Sequence, residues 1–130
     1  RLMEGVVESG TGIRLRFKYN LYNQIAGKTG TTNNHSDGWF MGITPKLTTG
    51  VWVGGEVRSI HFRYISLGQG ANMALPIWAL YMQKLYADPE IKLSREDFLP
   101  PARQMDINFD CNESDDEEFF EEEEEYEEEF

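Results

Sequence analysis

The sequence holds a single cysteine, Cys111, and two histidines, His35 and His61. No apolar run approaches the 18 residues that a membrane-crossing helix needs. One thiol builds neither a disulfide framework nor a thiolate metal cluster. Neither histidine has a second ligand at metal-binding spacing, so both read as surface or core side chains, and no metal or other cofactor is expected. No secretory leader is visible. Bases are missing altogether from residues 113–130, which carry 13 of the 23 acids. The formal charge of −11 therefore belongs to that segment, because residues 1–112 hold 12 bases and 10 acids. Like charges repel and cannot bury enough apolar surface to offset chain entropy, so residues 112–130 read as an acidic, disordered tail. A solvating terminus is the first reading of it, and a docking peptide for a basic partner the second.

What is present organises around Ile25-Ala26-Gly27-Lys28-Thr29-Gly30-Thr31-Thr32, which sets one cation among two glycines and three hydroxyls. Before it, Arg1 to Ser9 places Leu2, Met3, Val6 and Val7 on one helical face, and Gly10 and Gly12 end the helix. The chain opens inside this pattern without an initiator methionine, so a longer parent protein is expected. Arg14 to Tyr19 alternates basic and apolar residues, which predicts an exposed strand or extended loop. Three bases among aromatics make no nucleic-acid footprint, and no nucleic-acid partner is expected.

Gln24 to Thr32 reads as a strand entering a polar loop, and Asn33 to Gly38 is dense in turn formers. Trp39 to Thr44 and Leu47 to Val53 are two more strands around a Pro45-Lys46 turn. Connections this short argue for antiparallel neighbours. Glu56 to Gln69 is irregular, with a short strand expected at Ile60–Tyr64. Met73 to Ala87 is a helix whose Leu75, Trp78, Ala79, Met82, Leu85 and Tyr86 form one apolar stripe, read as core packing. Pro76 suits only its first turn. Residues 88–111 form a polar extension.

Two chemistries compete for Gly27-Lys28-Thr29. A phosphate loop needs a glycine five residues before the Gly-Lys pair, where Tyr22 stands, and a helix after it, where Gly30 and a strand-turn-strand pattern stand. Both mechanical requirements fail. The Lys-Thr-Gly triplet of serine acyl-transferases that react with β-lactams fits better. On an edge strand beside a cleft, the Lys28 ammonium lowers the cost of negative charge and helps move the proton near a nucleophile. Thr29 and Thr31, two apart, share a face and can hold a substrate carboxylate. Gly30 leaves the approach bare, and the Thr31 N–H can donate to the oxyanion of a tetrahedral intermediate.

The wider run is more specific. Lys28-Thr29-Gly30-Thr31-Thr32-Asn33, Asp37 to Pro45 and Gly50-Val51-Trp52-Val53-Gly54 resemble bacterial class A penicillin-binding proteins. Gly5 to Gly12 and Ala74-Leu75-Pro76-Ile77-Trp78 extend the resemblance over residues 1–87. The resemblance implies an α/β (α+β) fold of the β-lactamase/transpeptidase type, a five-stranded antiparallel sheet with helices on both sides. This chain would be its C-terminal portion, with three strands and the final helix. It also implies a bifunctional peptidoglycan synthase that cross-links stem peptides through an acyl-enzyme at D-Ala-D-Ala and polymerises glycan in another domain. Stem peptides, β-lactams and the rest of the same polypeptide are the implied partners. The implied site is the extracytoplasmic face of the inner membrane, reached through an N-terminal anchor outside this chain.

The family nucleophile lies in Ser-x-x-Lys, and none of Ser9, Ser36, Ser59, Ser66, Ser94 and Ser114 has Lys three residues on. Ser-x-Asn is missing too. Gly38 and Ile43 stand where relatives often carry Ala and Tyr, which are packing changes. The 130 residues alone are therefore expected neither to acylate nor to melt cooperatively. A catalytically dead scaffold module is the alternative from another class, and a serine β-lactamase or carboxypeptidase the alternative within the enzymes.

Overall fold

The computed structural model describes residues 2–103. By its contacts the chain divides between Leu99 and Pro100, and the first unit is compact. The acidic tail and Cys111 lie outside the described residues.

The first unit is mixed α/β. In chain order it holds α1 (Leu2–Glu8), α2 (Arg14–Phe17), β1 (Ala26–Thr31), β2 (Asp37–Thr44), β3 (Leu47–Gly54), α3 (Ile65–Gly68) and α4 (Gly70–Ala87). The strands form one antiparallel sheet in the order β1-β2-β3. The described residues form three strands and a long final helix, the share of a five-stranded sheet that the resemblance implied for this chain. The helices lie on one face of the sheet, and among the described residues both outer strands have an unpaired edge.

Period-two alternation sets the faces. Along β2, Gly38, Phe40, Gly42 and Thr44 are buried, while Trp39 and Met41 point away from the helices and are exposed. Thr44 closes the Pro45-Lys46 hairpin: its Oγ1 accepts from the Leu47 N–H at 3.1 Å and donates to the Leu47 carbonyl at 3.1 Å.

The apolar stripe of α4 lies on the closed face, with Leu75, Trp78, Ala79 and Met82 fully buried. Trp78 sits edge-on to Phe40, with ring centroids 5.2 Å apart, and its Nε1 donates to Thr49 Oγ1 at 2.7 Å. Gly42 makes room for it, since a Cβ there would lie 2.2 Å from the Trp78 ring. Val7 of α1 and Leu15 of α2 complete this core. Each such side chain contributes roughly 1.5–3 kcal/mol on burial.

Three local expectations are corrected. Arg14–Phe17 is a helical turn, not a strand. Leu15 and Tyr19, four apart, both reach the core, and the guanidinium of Arg16 holds the Leu21 and Asn23 carbonyls and the Glu8 carboxylate. Asn20 then turns the chain at a left-handed φ of 53°, a conformation asparagine tolerates. Ile60–Tyr64 is not a strand: it makes no ladder, and its side chains are exposed. The helix expected from Met73 begins at Gly70, so Pro76 is its seventh residue and cannot donate to the Asn72 carbonyl. Gly70 is held against the sheet, and that contact carries the helix start back past the first turn that Pro76 would favour.

Beyond α4, residues 88–99 turn back across the same unit. Leu93 packs on the core, the Phe98 N–H donates to Gln24 Oε1 at 2.7 Å, and Arg95 stacks 4.6 Å over the Tyr86 ring. Asn23 Nδ2 donates to the Tyr86 hydroxyl at 2.8 Å, and burial raises the pKa of that phenol above its ordinary value.

Candidate functional site

β1 is an outer strand, so one of its edges pairs with β2 and the other is unpaired. Which groups face outward follows from the ladder. The register pairs Thr31 with Gly38, and the next pair inward to the loop, Thr32 and Asp37, is bonded through Thr32 N–H and the Asp37 carbonyl at 3.1 Å. Bonded and non-bonded pairs alternate in an antiparallel ladder. Gly30 and Lys28 therefore bond to β2, while Thr29 and Thr31 direct their N–H and C=O groups to the free edge. A peptide lying along β1 meets those four groups.

The side chains divide differently. Lys28 is exposed on the open face, beside Met41, its register partner. Its Nζ bends to the edge and donates to the Thr29 carbonyl at 2.7 Å. No carboxylate among the described residues pairs with it. Thr29 and Thr31 lie together on the other face, and each hydroxyl has an internal partner. Thr29 Oγ1 is 2.9 Å from Thr11 Oγ1, and Thr31 Oγ1 accepts from the Gly70 N–H at 3.1 Å. The cation and the two hydroxyls thus approach the edge from opposite faces. Gly30 is less crowded: a Cβ there would meet Trp39 Cβ at 3.3 Å, a contact that needs a shift of only a few tenths of an ångström.

The loop after β1 is closed by bonds from its first residue to its end and to the start of β2. Thr32 Oγ1 accepts from the Asp37 N–H at 3.1 Å and lies 3.0 Å from Ser36 Oγ. Asn34 and His35 are both left-handed, at φ of 60° and 57°. Three of the described serines are engaged locally: Ser9 Oγ donates to the Gly5 carbonyl, buried Ser36 bonds Thr32, and Ser94 Oγ accepts from the Glu96 N–H. Among the described residues no three His, Cys, Asp or Glu side chains converge as a metal site. None of the described helices is long and apolar enough to cross a membrane.

Sequence reading found the edge strand and its residues but not what braces them. Thr11 and Gly70 lie 18 and 39 residues from the threonines they bond. No local spacing connects them. The one available sign was glycine at position 70 ahead of an apolar stripe, where a better helix former would ordinarily serve.

No family model matches the chain. Individual relatives do. Penicillin-binding protein 1A of Aquifex aeolicus is 35% identical over 109 residues, which is 82% of this chain and 14% of the relative. Penicillin-binding protein 1B of Escherichia coli is 38% identical over 111 residues, 85% of this chain and 12% of the relative. Penicillin-binding protein 1A of Pseudomonas aeruginosa is 41% identical over 85 residues, 62% of this chain and 9% of the relative. The chain spans between 9% and 14% of the length of these three proteins.

Proposed function

We propose that this chain, a relative of penicillin-binding proteins 1A and 1B, is one wall of a serine acyl-transfer site in a peptidoglycan-synthesising enzyme. One observation carries the reading. The Lys28-Thr29-Gly30-Thr31 run lies on an unpaired strand edge with the Thr29 and Thr31 backbone groups turned outward. A stem peptide ending in D-Ala-D-Ala, or a β-lactam that mimics it, adds to that edge as a further strand.

The roles follow from position. The Thr31 N–H stabilises the oxyanion of the tetrahedral intermediate, a contribution of about 10²–10³ in rate for a single donor. Thr31 Oγ1 accepts from Gly70, which leaves its own proton to bind the substrate carboxylate. The Thr11–Thr29 pair shares one proton between its oxygens and has a second to offer at the same place. Lys28 releases the Thr29 carbonyl to the incoming strand and holds its charge beside the reacting centre. The nucleophile comes from a serine outside these 130 residues, since no serine here precedes a lysine by three. In this reading the parent enzyme works at the extracytoplasmic membrane face and carries its glycan-polymerising activity elsewhere in its length.

Labelling with a fluorescent penicillin tests the reading. The 130-residue chain alone is expected to take no label, and the longer protein that encodes Ser-x-x-Lys ahead of it is expected to label covalently. Lys28→Ala in that longer protein is expected to slow labelling by about 10²–10⁴ without unfolding it, the range of a positioned proton-transfer group. Covalent label on the short chain, or unchanged labelling of Lys28→Ala, refutes the assignment.

A further inference from the structure

Helix α4 begins without a cap of its own. Its N-cap residue is Gln69, which makes no side-chain capping bond. The first helical N–H, that of Gly70, instead reaches across to the strand and donates to Thr31 Oγ1 at 3.1 Å. One of the four N–H groups that a helix start leaves unpaired is satisfied by the residue at the centre of the proposed edge.

The approach that permits this bond has no slack. A Cβ on Gly70 would lie 2.3 Å from the Gly30 carbonyl oxygen and 2.4 Å from that of Trp39. Those two residues face each other across β1 and β2. A Cβ on Gly38, in the adjacent pair, would lie 2.9 Å from Gly70 Cα and 3.1 Å from its nitrogen. The atoms concerned are backbone, which cannot swing aside as a side chain can. Residue 70 is thus seated on the sheet at the step between Gly30 and Thr31.

We infer that Gly70 is a positioning residue for the edge. It sets the height of β1 at Gly30–Thr31 and so the aim of the Thr31 N–H and hydroxyl, without itself touching the substrate. The inference rests on the function proposed above. It assigns a role to a residue 42 positions from Lys28 that the Lys-Thr-Gly triplet does not include. Alanine at 70 must drive helix and strand apart by roughly 1 Å, a displacement that costs on the order of 10²-fold when it falls on a reacting geometry.

The test uses the longer protein and its acylation by a fluorescent penicillin, resolved into the affinity of the initial complex and the rate of the covalent step. Gly70→Ala is expected to slow the covalent step by about 10²-fold while the protein stays folded. Ala79→Gly is the comparison. It loosens the same helix at a buried position nine residues beyond Gly70 and is expected to acylate like the parent at a temperature where both are folded. Normal acylation by folded Gly70→Ala, or a parallel loss in Ala79→Gly, overturns the inference. If Gly70→Ala does not fold, Asn72→Ala frees the same helix start from Arg14 and the Ser66 carbonyl, and it must slow the covalent step for the inference to stand. Failure of the parent protein to label at all would instead remove the proposed function. Labelling that depends on Lys28 but ignores Gly70→Ala and Asn72→Ala would leave that function intact and remove only this role.

Discussion

The two faces of the sheet are built from similar residues and meet opposite fates. On the closed face Phe40 is fully buried, and Trp78 of α4 is fully buried against it. On the open face Trp39 and Trp52, paired across β2 and β3, stay 45% and 46% exposed, and Met41 stays 38% exposed. Hydrophobicity alone does not separate these groups. The presence of a helix does: Gly38, Gly42 and Gly70 are small where α4 must come close, and no described element comes close on the other side. Burial is a property of the partner as much as of the side chain.

The largest effect expected from breaking that contrast is on the closed face. Trp78→Ala removes the side chain that Phe40, Gly42 and Thr49 enclose and is expected to cost about 3–5 kcal/mol. Amide hydrogen exchange in β2 and α4 reads it as lost protection; unchanged protection would show that the closed face is not the core. A matched pair of glycines sharpens the contrast. Gly42→Ala puts a Cβ 2.2 Å from the enclosed Trp78 ring and is expected to cost about 1–3 kcal/mol, the usual penalty of overpacking. Gly50→Ala puts one 2.3 Å from Met41 Sδ, the flexible end of a half-exposed side chain, and is expected to be nearly neutral by the same measurement.

Smaller still, Trp39→Thr and Trp52→Thr each remove only a cross-strand contact, worth about 0.2–1 kcal/mol. They are expected to lower the binding of an apolar dye such as ANS, and dye binding that ignores both changes would mean the open face is not what the dye sees.

The smallest effect concerns the periphery. The Lys46 ammonium, 3.2 Å from Glu96, holds that carboxyl below its ordinary range, and Ser94 adds to the effect. A carboxyl lowered on folding lends stability above its unfolded pKa and loses it as pH falls through its folded value. Glu96→Gln is therefore expected to differ slightly from the parent near neutral pH, and the difference is expected to vanish as pH falls through the folded value, in urea titrations of the longer protein. A difference that grows in acid would reverse the assignment.

Much of the fold was legible because its signals are local. The strands show period two, Pro45-Lys46 is a turn pair between them, and the stripe from Leu75 to Tyr86 shows helical period. The readings that failed depended on distant partners. Arg14 to Tyr19 alternates like a strand, yet four-residue spacing puts Leu15 and Tyr19 together in a core supplied by α4. The start of α4 was misplaced because Gly70 is fixed by β1, not by its own neighbours. At the site, the edge strand and the shared face of Thr29 and Thr31 follow from period two. Their bonds to Thr11 and Gly70 do not, and those bonds decide which protons the hydroxyls have left to give.

The lysine that folds back on its own strand also bears on solubility. A bare strand edge is a template on which other copies of a chain can stack into insoluble sheets. Here the Lys28 ammonium occupies the outward carbonyl of Thr29 and sets a charge where a neighbouring copy would have to pair. Charged residues at such edges act as gatekeepers against aggregation. That charge disfavours a neighbouring strand that brings nothing to balance it.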